Sequence, residues 1–465
     1  MTRVDVAVTG GSLVMPDGVH EGDVGITAGT IVAVAAPGSL DAGETIDAHE
    51  LHVFPGLVDP HAHPGNLRPF ELDIAEETRA AAAGGITAIL GTVKAPRLGQ
   101  PFKEMTTPED VCSYNDVFEL ARAAIDGHSH VDVGFSYVVM DDRHAREIAE
   151  YAERHGVRSF KFFVGNRGPN PSSGRVGMPV YGDDGVHWLG FRAAGETGSL
   201  AMIHAENQQV ARALHDEERG DVDLAAWSRH SPGWLEAEAI DRATTFAEQS
   251  GARLYPVHLT SKEGVAAVRR AKERLPGRVF GETCPQYFAL HDRHPAGLVA
   301  KCAPPIHGTE DNEAIWRGLE DGTIDVVGTD HIHQTRARKV VEGDVWRTNA
   351  GVPGHETMLP LLLSANRLSL PRVAAVASTN AARIFGLARK GSIAPGFDGD
   401  LTLVDLGKRR VVQADDLETM SDFTPFEGME LAGWPVLALL RGTVIMRDGR
   451  STDATVGRYL FREAA

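Results

Sequence analysis

Cysteine is scarce in this sequence: Cys112, Cys284 and Cys302 are the only three among 465 residues. They are too few and too scattered for a disulfide framework, which points to a reducing compartment, the cytoplasm. Basic charge is in deficit too, with a formal net charge of -18. Surplus acid argues against nonspecific binding to nucleic acid or anionic lipid, so neither nucleic acid nor a membrane is expected as a partner. No apolar stretch approaches the roughly 18 residues that would span a bilayer. The segment Met1 to Val14 alternates apolar and polar residues and lacks the basic start and apolar core of a signal peptide. There is no repeat at solenoid spacing and no low-complexity segment. No G-x-G-x-x-G follows a first strand, which lowers the doubly wound open sheet as an architecture. What is present is an ordinary globular composition, 42% hydrophobic and 24% charged. The length suits one large barrel plus a smaller partner.

Both ends of the chain are strand-like and rich in turns. Val4-Asp5-Val6-Ala7-Val8 alternates with period two, and Gly10-Gly11 and Pro16-Asp17-Gly18 read as turns. Near the other end, Asp400 to Val404 and Val436 to Met446 are apolar runs, and Arg447-Asp448-Gly449-Arg450 is a turn. Residues 1–53 and 392–465 are therefore expected to form one small sheet domain beside a middle that spans 54–391. That middle alternates between strand and helix. Eight strands are expected, at 56–59, 86–92, 131–139, 157–164, 200–204, 253–258, 278–283 and 324–329. Helical patterns fall between them at 73–83, 143–155, 234–249, 262–274 and 310–320. Eight such units predict an α/β fold, a (β/α)8 TIM-like barrel with enlarged loops.

Chemistry-bearing residues sit at the ends of these strands. Asp59-Pro60-His61-Ala62-His63 closes the first, and residues two apart on an extended chain share a face. Both imidazoles then suit one metal; the plainer alternative is two histidines in a surface turn. Lys161 lies in Ser159-Phe160-Lys161-Phe162-Phe163-Val164, a run that reads as buried on both sides. A buried ammonium is costly, and burial lowers its pKa and frees the amine to react. Carbon dioxide would turn it into a carbamate that binds two cations; the alternative is a lysine that snorkels to the barrel mouth. His204 and His258 each end an apolar strand, where a structural histidine is the ordinary reading. Asp330 ends the eighth, where it could be only a helix N-cap. Together the six fall on the C-terminal strand ends, the face on which barrel active sites form. Such ligands suit zinc first, with manganese, iron, cobalt or nickel compatible. Two such ions roughly 3.5–4 Å apart would share one hydroxide and polarise a carbonyl. Asp330 would act as the proton shuttle to the leaving nitrogen.

The chain resembles the cyclic amidohydrolases of the amidohydrolase superfamily: hydantoinase and dihydropyrimidinase, with allantoinase and dihydroorotase as relatives. The stretches that carry the resemblance include Phe54 to His63, Phe160-Lys161-Phe162-Phe163, His204-Ala205-Glu206-Asn207, Glu282-Thr283-Cys284-Pro285-Gln286, Gly328-Thr329-Asp330-His331 and Ser378 to Leu387. The resemblance implies that His61 and His63 bind one metal and His204 and His258 the other, with carboxylated Lys161 as the bridge and Asp330 as ligand and catalytic residue. It also implies a β-sandwich made of both termini, a small cyclic amide as substrate, and a homo-oligomer, a tetramer or a dimer.

Departures from the family pattern concern the substrate. Gly65 stands where dihydroorotases carry Arg and allantoinases tend to carry Asn, which disfavours both. Val164-Gly165-Asn166-Arg167 replaces the segment that usually holds a Tyr, and Ala350 precedes Gly351 where Asn is usual. Asn166, Ala303, Asn349 and Gly351 are the candidate substrate contacts. The expected activity is opening of a cyclic amide, imide or ureide ring. Allantoinase-type or dihydroorotase-type hydrolysis is the alternative. A non-catalytic scaffold would not need all six ligand positions, and a mononuclear deaminase would not need Lys161.

Overall fold

A computed structural model of the chain describes residues 2–95, 111–164, 183–218 and 220–463. Five strands open it: β1 (Thr2–Met15), β2 (Gly18–Thr27), β3 (Thr30–Ala35), β4 (Leu40–Asp47) and β5 (His52–Pro55). The first half of β1 pairs with β4 and the second half with β5. The change of partner falls at Gly10, whose φ of +71° is left-handed. A side chain there would also meet the ring of His49 at 2.5 Å. Gly10-Gly11, expected as a turn, thus lies inside β1, where the β1–β2 register slips between Val8 and Gly11. Glycine supplies a bulge here that bends the strand without ending it.

The middle of the chain contributes β6 (Leu57–Ala62), β7 (Ile86–Val93), β8 (Asp132–Val138), β9 (Ser159–Val164), β10 (Leu200–Ala205), β11 (Arg253–Pro256), β12 (Gly281–Thr283) and β13 (Ile324–Val327). Strands β6 to β11 form one parallel sheet in chain order, and β12 pairs with β13. Isolated parallel bridges join Leu254 to Val279 and Ala62 to His331. All eight expected strands are present. The seventh is shorter than the 278–283 expected, because only Val279 bridges before Gly281. The five expected helices are found within three residues of their predicted ends, and Lys262–Arg274 has the predicted bounds. Ser261 caps that helix by accepting the Gly264 N–H.

Strands β14 (Leu401–Val411), β15 (Glu430–Leu440), β16 (Thr443–Arg447) and β17 (Arg450–Ser451) complete the chain. They join β1 to β5 in a nine-stranded mixed sheet, in which β14 lies against β5. Val8, Leu13, Val24, Ile26, Leu401, Leu403 and Leu439 form the core of that sheet. Among the described residues, no helix is long and apolar enough to cross a membrane.

Candidate metal centre

The alternation of an extended chain aims the first three groups. Asp59, His61 and His63 follow one another at two-residue spacing along β6 and its next residue, so they share a face. On β9, Lys161 pairs with Met202 and Phe163 with His204, which puts Lys161 and His204 on one face of the parallel sheet. The neighbours Phe160 and Phe162 are turned the other way and are also fully buried.

The structure brings all six expected ligands into one cluster. Lys161 is 1% exposed, and its Nζ lies 2.6 Å from His61 Nε2. Asp330 Oδ1 is 3.3 Å from His61 Nε2 and 2.9 Å from His63 Nε2. His204 Nδ1 and His258 Nε2 approach to 2.9 Å, and the His258 ring stacks on His61 at 5.6 Å. His258 and Asp330 both carry positive φ, +41° and +51°. For a side chain other than glycine that conformation costs about 1–3 kcal/mol. Two corners of the cluster are therefore held against local preference by what surrounds them.

Protonation follows from burial and neighbours. Burial pushes the Lys161 ammonium down, against the opposing pull of Asp330 and Glu282. It pushes His63 down to about 3 although Asp330 favours the cation, and it holds His258 well below its ordinary value. Burial alone would raise Asp330, but His61, His63 and His258 outweigh it and hold the carboxyl well below the usual range. The result is an anionic Asp330 carboxylate, His63 and His258 rings pushed toward their neutral form, and an amine driven the same way. Those are the states in which such groups coordinate cations. Lys161 and His61, and His204 and His258, bring nitrogen atoms within 3 Å of each other beside the Asp330 carboxylate, a set of donors that fits divalent ions.

Two buried carboxylates orient rings of the cluster and a third holds its backbone, and the sequence suggested none of these tasks. Glu282 Oε1 accepts from His61 Nδ1 at 2.7 Å, and the same carboxylate accepts from the His258 N–H and the Tyr255 hydroxyl. Glu206 Oε2 lies 3.2 Å from His204 Nε2 and its partner oxygen accepts from Ser231 Oγ. Asp59 accepts the backbone N–H groups of His61 and Thr329. Signals existed: Asp59 precedes His61 by two and Glu206 follows His204 by two, the spacing that already linked His61 to His63. Glu282 is an acid on the seventh strand, the site of no assigned ligand.

Of the candidate substrate contacts, Asn166 lies outside the described residues. Ala303 is half-buried next to Pro304. Gly351 donates its N–H to Lys301 O at 3.1 Å, and its carbonyl accepts from Lys339 Nζ at 2.7 Å. Asn349 Nδ2 donates to Arg338 O at 2.6 Å. The buried Lys339 also donates to the carbonyls of Lys301 and Asn349, so it fastens the segment that carries two of the four.

The Amidohydrolase family profile matches residues 52–445. The chain is 34% identical to an allantoinase of Rubrobacter xylanophilus, over 99% of this chain and 98% of that protein. It is 31% identical to an L-hydantoinase of Paenarthrobacter aurescens, with 98% of both covered. Among solved structures, the L-hydantoinase (dihydropyrimidinase) from Arthrobacter aurescens superposes with a TM-score of 0.87 at 31% identity, over 98% of this chain and 99% of that one.

Proposed function

Because the chain belongs to the amidohydrolase family, we propose that it hydrolyses a cyclic amide, imide or ureide ring at a centre of two divalent metal ions. The observation that carries this reading is the convergence of four imidazoles, one amine and one carboxylate in a single buried cluster. The relatives named above bear the names allantoinase and L-hydantoinase, and ring opening is the chemistry those names share.

In this proposal His61 and His63 would hold one ion and His204 and His258 the other, with Lys161 as a ligand they would share. The neutral Lys161 amine adds to carbon dioxide, forming one N–C bond and releasing one proton, and the carbamate so made is an anionic ligand. Two ions bound there, zinc by the preference of imidazole and carboxylate ligands, would acidify water and polarise the ring carbonyl. Asp330 takes a proton from the attacking water on a carboxylate oxygen. It delivers that proton to the ring nitrogen as the C–N bond breaks. Glu282 and Glu206 keep the outer N–H of His61 and His204 engaged, so the other ring nitrogens face inward. Asn166, Ala303, Asn349 and Gly351 are proposed to meet the ring.

The strands β6 to β13 are read as one closed eight-stranded barrel, a reading supported by the parallel bridges that flank the six-stranded sheet. The sheet of both termini is read as a sandwich with boundaries near residues 53 and 391. Three cysteines without a disulfide support a cytoplasmic setting. A dimer or tetramer is proposed on family resemblance.

A ring-opening assay tests the activity. Protein reconstituted with metal is offered hydantoins, dihydrouracil, allantoin, dihydroorotate, succinimide and lactams. Hydrolysis of at least one ring, abolished by a chelator, is the expected result. No turnover with any of them, in protein that carries its metals, would overturn the proposal.

A further inference from the structure

Behind His63, on the side away from Asp330, lies a small cavity with room for about one water molecule. Asp73, Glu77 and His333 line it with His63. His63 turns its Nε2 to Asp330, which does not line the cavity, so the opposite edge of the ring faces it. Five buried polar atoms of the residues that line it have no hydrogen-bond partner: His63 Nδ1, Asp73 Oδ1, His333 Nε2 and both ring nitrogens of His355. Asp73 Oδ2 is taken by the Gly65 N–H at 2.8 Å. Its Oδ1 lies 3.3 Å from His333 Nε2 and 4.0 Å from Arg68 Nε.

The sequence explains the convergence. Asp73 and Glu77 are one turn apart on the helix Phe70–Ala83, so they point the same way. His333 follows the bridge at His331 that closes on Ala62, the neighbour of His63. A cation is the obvious occupant, since Glu77, His331 and His333 bring ligand atoms within 4.8 Å of one another. The hydrogen bonds argue otherwise. His331 Nδ1 accepts the Gly354 N–H at 3.1 Å, so its proton sits on Nε2, which donates to Glu77 at 2.7 Å. That nitrogen has no lone pair to offer. Both oxygens of Glu77 are also engaged, by His331, Thr419 and the Met420 N–H.

We propose that Asp73 is a positioning residue for His63, acting through one water that accepts from His63 Nδ1–H and donates to Asp73 Oδ1. This inference rests on the assignment of His63 as a metal ligand. It gives His63 what Glu282 gives His61, an acceptor that fixes the ring proton on the outer nitrogen and leaves Nε2 for the ion. His63 Nδ1–H and Asp73 Oδ1 supply the donor and the acceptor that a single water bridges.

The test is metal affinity, read by chelator competition on the full chain loaded with zinc. Asp73→Asn keeps an oxygen for the Gly65 N–H and alters only the atom at the cavity. One of the two ions is expected to bind roughly 10–100-fold more weakly, with the thermal midpoint of the metal-free protein unchanged. His333→Leu, which leaves Asp73 intact, should weaken the same ion less and serves if Asp73→Asn does not fold. Wild-type affinity for both ions in the two variants would overturn the inference while leaving the metal centre in place. A third zinc per wild-type chain, lost in Asp73→Asn, would overturn it in favour of a cation in the cavity. A wild-type chain that takes up no metal would sink the assignment of the centre itself.

Discussion

Asp330 has to satisfy two demands with one carboxylate. It approaches His61 and His63 closely enough to share a cation with them, and its anion is stabilised so far that it is a weak base on its own. A group so placed takes a proton only from a strongly acidified donor, which is what water becomes beside two cations. Asp330→Asn should therefore keep most of the metal, because four imidazoles and Lys161 remain. Turnover should fall by roughly 10²–10⁴-fold, checked by kcat alongside metal content. Near-normal turnover would remove the shuttle role. At this scale the six clustered residues were legible because each stands as a polar side chain in or beside an apolar run. Glu282 was not, because its function depends on His61, a residue 221 positions away, and no local pattern reports such a partner.

At the scale of elements, a buried ion cluster ties the two sheets together. Lys390 Nζ is 2.6 Å from Asp132 Oδ2, 2.6 Å from Asp400 Oδ2 and 3.0 Å from Asp398 Oδ2. Asp132 begins β8 of the parallel sheet, and Asp400 directly precedes β14 of the terminal sheet. Arg441 adds a second cation, 2.5 Å from Asp132. Burial alone would lower the Lys390 pKa, but the three aspartates outweigh it and hold the ammonium charged. Lys390→Met would leave the buried Asp132 and Asp400 and the half-buried Asp398, with Arg441 against Asp132 and Arg389 against Asp398 as the remaining cations. A loss of about 3–5 kcal/mol in unfolding free energy is expected, measured by urea denaturation of the metal-loaded protein. A loss under about 1 kcal/mol would show the cluster to be dispensable. Strands and helices could be read from the sequence almost to their ends, since the helices bury one face and the parallel strands bury both. Gly10 could not, because glycine marks both turns and bulges, and only the partners of β1 distinguish the two.

At the scale of the whole molecule, the site is a product of topology. His61, Lys161, His204, His258 and Asp330 come from five different strands or strand ends, and no two of them are local neighbours in sequence. Parallel pairing in chain order from β6 to β11 carries His61, Lys161 and His204 to the same end of one sheet. The bridge between Ala62 and His331 then brings Asp330 to the side of the first strand. The sequence could place these residues at or near strand ends, although Lys161 lies inside β9; that they meet is a property of the folded sheet. The ring that is cleaved was less legible, because Gly65 and Ala350-Gly351, which depart from the family pattern, lie between regular elements, which periodicity does not describe.

The central claim is that these six side chains hold a pair of ions with Lys161 between them. Metal stoichiometry of the wild-type chain and of Lys161→Ala, measured by elemental analysis alongside turnover, tests it most directly. Two divalent ions per wild-type chain are expected, with both metal and turnover lost in Lys161→Ala. A single ion per chain, with full turnover retained in Lys161→Ala, would contradict it.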